Sequence, residues 1–370
     1  METELIKLGK PLNKEAVRKV VRALEQGAIA ALPTETGYGL AARALPDTLA
    51  GLDDLKEGAP APHTVLLGKK EDISKYVPKV LRPVMKLIRN CWPGPLLLVF
   101  EMDQEGLQKM RSVFPEEICR CLYEDGRICL YCPESEETRE ISSSTVLPVL
   151  MSSLNSEKFN PYAPADVYEY FKGKIDLVVD LDECSIRNKK TFSVVKYGAS
   201  GLEIIEEGSF SSEMLRKNSL IKILFVCSGN TCRSPMAEAI CKKILSDKLG
   251  CSIDSLERFG YKVESAGVFA ADGLRASKES DIICREYGVS LNEHKSRFLT
   301  KQALQESDLV FVMTECHLSD IERMRPSDFQ AYLLDKKAEI PDPAGQDIDV
   351  YRRCARQIER ALRERIEEIL

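Results

Sequence analysis

Histidine is scarce: His63, His294 and His317 are the three in 370 residues. Catalytic schemes and zinc sites that need two or three clustered imidazoles are therefore poorly supplied. No apolar run approaches the roughly 20 residues of a membrane-spanning helix. The opening METELIKLGKPLNKEAV has no apolar block of the signal-peptide kind. A cytoplasmic protein with no membrane attachment is expected. Cations are not in excess either: 52 Lys and Arg stand against 58 Asp and Glu, for a net charge of −6. That balance gives no general drive toward nucleic acid, although a local basic pocket remains open. There is no Walker-type phosphate loop, and Gly37-Tyr38-Gly39 is too short for a dinucleotide fingerprint.

The composition is that of a globular protein, 44% hydrophobic and 30% charged. It excludes a largely disordered chain. At about 100–200 residues per domain the length predicts two domains. Thirteen cysteines, an odd number in a long chain, do not read as a secreted disulfide framework. A reducing compartment keeps such cysteines as thiols.

The first half alternates helical and strand patterns. Asn13 caps a helix through Val17, Val20, Val21 and Leu24, and Gly27 ends it. A buried strand is predicted at 28–32, followed by a loop TETGYGL. Further strands are predicted at 65–67, 96–100, 128–131, 146–151 and 177–180, with a late hairpin of 194–197 and 202–205. This order predicts an open mixed α/β sheet. The polar stretch GSFSSEMLRKNS lacks a strand period and reads as a linker over 209–220. Strand 223–226, strand 261–264, a helix near 276–287, strand 309–313 and a charged helix from 348 then follow in βαβ order. They predict a doubly wound parallel sheet over 221–370.

The segment Leu224-Phe-Val-Cys227-Ser228-Gly229-Asn230-Thr231-Cys232-Arg233-Ser234-Pro235 runs strand, tight loop, helix. Such a loop gathers backbone N–H groups at a helix N-terminus, which suits a phosphate-sized anion. Arg233 adds a planar fork for two phosphate oxygens. The same field is expected to depress the Cys227 thiol and keep it a thiolate. A thiolate facing a bound phosphoryl group is an in-line nucleophile, and Ser234 can donate to it as it leaves. The leaving group needs a proton, and Asp342, in Asp342-Pro-Ala-Gly345, supplies a candidate carboxyl. No metal is needed.

Residues 221–370 resemble the low-molecular-weight protein tyrosine phosphatase family. The resemblance rests on the CSGNTCRSPMAEA loop, ESAGVFA at 264–270, SDLVFVMT at 307–314 and DPAG at 342–345. It implies Cys227 as nucleophile, Arg233 as phosphate clamp and Asp342 as general acid, with Asn230 and Ser234 shaping the loop. It also implies a phosphorylated protein as substrate and no cofactor. Thr231 and the IDVYRR stretch at 348–353 resemble the protein-arginine phosphatase branch, so phosphoarginine is favoured over phosphotyrosine. Ala344 departs from both branches, which tend to carry aromatic residues there. Cys232 has two readings, a redox partner for Cys227 as the family implies, or a small buried residue at a helix start. The crowded Cys119, Cys121, Cys129 and Cys132 are expected to hold no metal, because strand alternation separates them.

Residues 1–208 resemble the Sua5/YrdC/YwlC family of threonylcarbamoyl-adenylate synthases. The carrying residues are Leu32-Pro-Thr34-Glu-Thr36-Gly-Tyr38-Gly-Leu40, Trp92-Pro-Gly-Pro95, Ser193-Val-Val-Lys196 and Ile204-Ile-Glu-Glu-Gly208. The resemblance implies ATP with Mg, L-threonine and a link to tRNA modification. Its pocket candidates are Thr34, Thr36, Tyr38, Lys56, Ser153 and Asn155. The pattern departs at Gly58, Pro62 and Ile128, where the family has cations, and at Glu157-Lys158. Losing three cations from a triphosphate pocket costs several kcal/mol, at about 1.5–3 kcal/mol per charge-assisted bond. The reading is a domain that binds nucleotide, threonine or RNA without normal turnover. Two alternatives stay open. One is an active synthase, which would make the chain bifunctional. The other is a non-catalytic phosphoprotein- or RNA-binding regulator.

Overall fold

The computed structural model describes residues 2–9, 12–55, 63–154, 162–181, 190–324 and 330–370. The chain divides into two compact units, Met1–Val80 with Val84–Asn218, and Ser219–Leu370 with Leu81–Pro83.

In the first unit the described residues form a ten-stranded sheet. Its strands are β1 Glu4–Lys7, β2 Ala30–Thr34, β3 Gly37–Arg43, β4 Thr64–Leu66 and β5 Leu96–Glu101, then β6 Arg127–Tyr131, β7 Val149–Ser153, β8 Leu177–Asp180, β9 Ser193–Gly198 and β10 Gly201–Glu206. The order is β1-β8-β2-β3-β7-β4-β6-β5-β9-β10. Directions are mixed: β2 runs antiparallel to β3 and parallel to β8, and β5 antiparallel to β6 and parallel to β9. The helix Lys14–Glu25 forms where its pattern predicts. Asn13 accepts from the Glu15 and Ala16 N–H groups at 3.1 Å, and Val17, Val20 and Leu24 are buried.

Two expectations change. The loop TETGYGL is only a two-residue turn, Glu35-Thr36, after which the chain continues as β3. The stretch expected as a linker carries a helix, Ser212–Ser219, whose Leu215 joins the apolar core of the first unit. One buried leucine in eight residues leaves no helical stripe to read.

In the second unit the described residues form four parallel strands: β11 Ile221–Cys227, β12 Tyr261–Gly267, β13 Leu309–Val312 and β14 Ala331–Leu333. Their order is β12-β11-β13-β14. Such strands are covered on both faces and read as continuous apolar runs. On one face Leu224 and Val226 pack with Val310, Val312, Leu304 and Ile321, the last two from helices Lys301–Glu306 and Glu315–Met324. On the other, Phe225 stacks on Phe311 at 5.7 Å, and Arg365 of helix Ile348–Ile369 lies over Phe311. This arrangement leaves the C-terminal ends of β11 and β13 side by side, where a ligand crevice is expected in an open α/β sheet.

Candidate active site

Cys227 ends β11, and helix Arg233–Leu249 starts six residues later. The loop between them turns at Asn230, which has a φ of +53°. Asparagine enters that left-handed region more readily than most residues, and glycine more readily still. Here its side chain and carbonyl hold the turn from four sides. The Asn230 amide donates to Ser234 Oγ and Ser265 Oγ at 2.9 Å, and its Oδ1 accepts from the Arg297 N–H at 2.9 Å. His294 Nε2 lies 2.8 Å from its carbonyl oxygen. The end of β12 must come close for this to work. A Cβ on Gly267 would sit 2.5 Å from the Ser228 carbonyl and 2.9 Å from the Asn230 nitrogen. Glycine is therefore required there for close approach.

The Cys227 thiol lies at the centre of the turn, 3.0 Å from Ser234 Oγ, and accepts from the Asn230 N–H at 3.3 Å. Cys227 is 2% exposed. Burial pushes its thiol up, against the pull of the Ser234 hydroxyl and N–H, the Arg233 charge and the Asn230 N–H. The sequence argument for a depressed thiol counted the positive field and omitted this burial. Arg233 also has a counter-ion in this arrangement: its Nη2 meets Asp342 Oδ2 at 2.5 Å.

Arg233 is almost fully buried, while the Asp342 side chain is half-exposed. The guanidinium also donates to the Ile340 carbonyl at 3.3 Å and to Ser228 Oγ at 3.2 Å. Arg233 and Asp342, 109 residues apart in sequence, are thus in direct contact. Thr231 sits on the rim, its hydroxyl 3.7 Å from Cys232 Sγ. The Cys232 thiol is 3.5 Å from the hydroxyls of Ser277 and Tyr351. Ala344 is exposed, so the acid loop offers no wall there. The assembly brings a buried thiol, a guanidinium, a carboxyl and a hydroxyl together at one turn. That set suffices chemically for phosphoryl transfer through sulfur.

Sequence reasoning missed Ser265, Gly267, His294, Arg297 and His317. Ser265 and Gly267 lie in the ESAGVFA segment, which was singled out as a whole. His317 carried no signal, and its Nε2 is 2.9 Å from Ser228 Oγ.

The first-unit candidates are dispersed. The Thr34 hydroxyl donates to the Gly37 carbonyl at 2.9 Å and lies 3.3 Å from Thr36 Oγ1. Both therefore serve the β2–β3 turn. Tyr38 is buried, and its hydroxyl donates to the Val179 carbonyl at 3.0 Å. Ser153 ends β7 opposite Gly39. Lys56 and Asn155 lie outside the described residues, as do Gly58, Pro62, Glu157 and Lys158. Ile128 is in the apolar core. Trp92 is also a core residue, with Nε1 donating to the Leu96 carbonyl at 2.7 Å. Ser193 pins the end of the unit by accepting from the Gly208 and Phe210 N–H groups.

The group that sequence reasoning overlooked is Glu35. Its buried carboxyl accepts from the Tyr131 hydroxyl and the Glu134 N–H. Burial pushes Glu35 up, with those two bonds opposing. Arg139 turns away to the Pro133 and Glu134 carbonyls at 2.7 Å. The described residues thus place a carboxyl at this turn and spend Arg139 elsewhere. Among the described residues no helix is long and apolar enough to cross a membrane, and no group of three or more His, Cys, Asp or Glu side chains could hold a metal ion.

Residues 222–370 match the model of the low molecular weight phosphotyrosine protein phosphatases, and residues 22–208 the Sua5/yciO/yrdC model, described as telomere recombination. A protein-arginine-phosphatase of Bacillus subtilis is 36% identical over 148 residues, 38% of this chain and 92% of its own length. The low molecular weight protein-tyrosine-phosphatase PtpB of Staphylococcus haemolyticus is 33% identical over 37% of this chain and 92% of its own. Among solved structures, the low molecular weight protein tyrosine phosphatase of T. tengcongensis is 31% identical over 40% of this chain and 99% of its own, with a TM-score of 0.36.

Proposed function

The chain belongs to the low molecular weight phosphotyrosine protein phosphatase family through residues 222–370 and to the Sua5/yciO/yrdC family through residues 22–208; on that premise we propose that its second unit dephosphorylates protein side chains through a cysteinyl phosphate on Cys227, preferring phosphoarginine to phosphotyrosine. The observation that carries the mechanism is the convergence of Cys227, Ser234, Arg233 and Asp342 on one turn.

A phosphate dianion entering the turn offers Arg233 two oxygens in place of one Asp342 oxygen. The exchange frees the carboxyl to face the leaving atom. As it leaves Arg233, Asp342 takes up the proton that the Cys227 thiol releases; the thiolate attacks phosphorus as the P–N or P–O bond breaks, and Asp342 passes that proton to the departing nitrogen or oxygen. Asp342 then takes a proton from water, and the water oxygen attacks the same phosphorus. The S–P bond breaks, phosphate leaves, and the Ser234 hydroxyl meets the returning thiolate.

The preference rests on Thr231 and Ala344. A rim hydroxyl can pair with a polar guanidine leaving group, whereas a phenyl ring gains nothing from it. Without an aromatic wall at 344, a phenyl group also lacks a packing surface. The free thiols in the unit suit a reducing cytoplasm. The test is kcat/KM on one peptide carrying either phosphoarginine or phosphotyrosine, for the wild type and Thr231→Ile. The expected result is faster phosphoarginine hydrolysis in the wild type and a swing toward phosphotyrosine in the variant. Faster phosphotyrosine hydrolysis with no swing would overturn the preference.

For the first unit the reading is a module that binds a nucleotide, L-threonine or RNA without synthase turnover. The uncharged residues Gly58, Pro62 and Ile128 at positions where the family has cations support it, and Ile128 is buried in the apolar core. Pyrophosphate release that depends on ATP, bicarbonate and L-threonine would instead establish a bifunctional enzyme.

A further inference from the structure

His317 is 4% exposed and both of its ring nitrogens are engaged. Nδ1 is 2.8 Å from Thr314 Oγ1, and Nε2 is 2.9 Å from Ser228 Oγ. Thr314 follows β13, and His317 lies in the first turn of helix Glu315–Met324. The crevice between β11 and β13 therefore brings this imidazole to the phosphate loop from a different strand. Ser228 is where the two sides meet, because its hydroxyl oxygen also accepts from Arg233 Nη2 at 3.2 Å.

The directions of these bonds are linked. Arg233 can only donate, so the Ser228 oxygen is an acceptor toward it. The one Ser228 hydrogen is then available to His317 Nε2, and the Nδ1 hydrogen to Thr314. Burial and the Arg233 charge hold His317 below its usual range, while Asp320, Asp342 and Glu339 pull the other way. The neutral imidazole that results is the form able to accept from Ser228.

Resting on the phosphatase reading, we propose that His317 is a positioning residue of this site: held between Thr314 and Ser228, it fixes the Ser228 hydroxyl as an acceptor for Arg233 and so sets the fork over the phosphate turn. Arg233 is then anchored through a bond independent of Asp342. That independence matters because the mechanism requires Asp342 to let go when phosphate binds. The Ser228 bond and the Ile340 carbonyl remain, and they keep the guanidinium aimed while its other partner leaves.

The experiment measures inorganic phosphate binding by calorimetry in the full-length chain, with no turnover involved. It compares the wild type, His317→Ala, His317→Gln, Ser228→Ala and the double variant His317→Ala/Ser228→Ala. Losing one bond to a charged group predicts roughly tenfold weaker phosphate binding in each alanine variant. The double variant should lose no more than either single one, because all three break the same link. Gln, which still offers an acceptor, should recover part of the affinity. In steady state the loss should appear in KM for an aryl phosphate more than in kcat. Unchanged affinity in Ser228→Ala, or additive losses in the double variant, would overturn the proposal. If His317→Ala fails to fold, Ser228→Ala and His317→Gln decide. Wild-type protein that binds phosphate but shows no Cys227-dependent hydrolysis would refute the phosphatase reading and leave the His317 link to be judged on binding alone.

Discussion

Asn230 offers the sharpest separation of backbone from side-chain effects. Replacing it with alanine removes three side-chain hydrogen bonds, to Ser234, Ser265 and the Arg297 N–H. At a net value of about 0.5–1.5 kcal/mol each, they sum to about 1.5–4.5 kcal/mol. Alanine at a φ of +53° adds about 1–2 kcal/mol for the left-handed conformation. Glycine loses the same side-chain bonds without the Cβ strain, at the cost of a more flexible unfolded chain. The two variants should therefore differ by about 1 kcal/mol in the stability of the second unit, with alanine the weaker. A misplaced turn also misplaces the thiol. If about 3 kcal/mol appears in the transition state, kcat/KM on an aryl phosphate falls about a hundredfold in Asn230→Ala. The assays are the urea midpoint of the second unit and initial rates on p-nitrophenyl phosphate. Alanine that is as stable as glycine would refute the strain argument. An Asn230→Ala rate close to the wild type would refute the role of the network in holding Cys227.

Two further outcomes follow from the titrating groups. Ser234→Ala removes the strongest of the contacts that oppose the upward push of burial on Cys227. The thiolate is then less favoured, and the pH profile for iodoacetamide inactivation should move to higher pH, checked by activity loss and by the labelled Cys227 peptide. Glu35 is raised in the folded state. Its contribution to stability is full below the unfolded carboxyl range and is lost as pH rises through the folded value. Glu35→Gln should therefore raise the melting temperature of the first unit relative to wild type at about pH 8, with little or no gain near pH 4. The reverse order would contradict the burial argument.

The legible parts of this protein are those written contiguously. Cys227, Asn230, Arg233 and Ser234 fall within one strand end, loop and helix start, so spacing alone brings them together. Asp342 is 109 residues from Arg233 and was found only through the DPAG motif. The contact it makes with Arg233 carries no sequence signal. His317 was unreadable for the same reason: its link to Ser228 spans 89 residues and depends on β13 lying beside β11. In the first unit the alternation of strands and helices was readable, but β1 and β3 were not; β3 shows why. It opens with Gly37-Tyr38-Gly39, a turn-like composition, yet it pairs on both sides, with β2 and β7. The Glu35–Tyr131 pair, 96 residues apart, shows why pocket residues could not be transferred by motif. The Thr34 and Thr36 hydroxyls that looked available are used by the turn itself.

The central claim is covalent catalysis at Cys227, and the most direct measurement is the mass of the Cys227 peptide after rapid acid quench during turnover. p-Nitrophenyl phosphate has a leaving group that needs little help from an acid, so Asp342→Ala should slow mainly the attack of water. The account predicts one phosphoryl group on Cys227 in that variant, and neither a phosphoryl group nor turnover in Cys227→Ala. Phosphoryl transfer to another residue in the Asp342→Ala variant, or turnover that survives in Cys227→Ala, would contradict it.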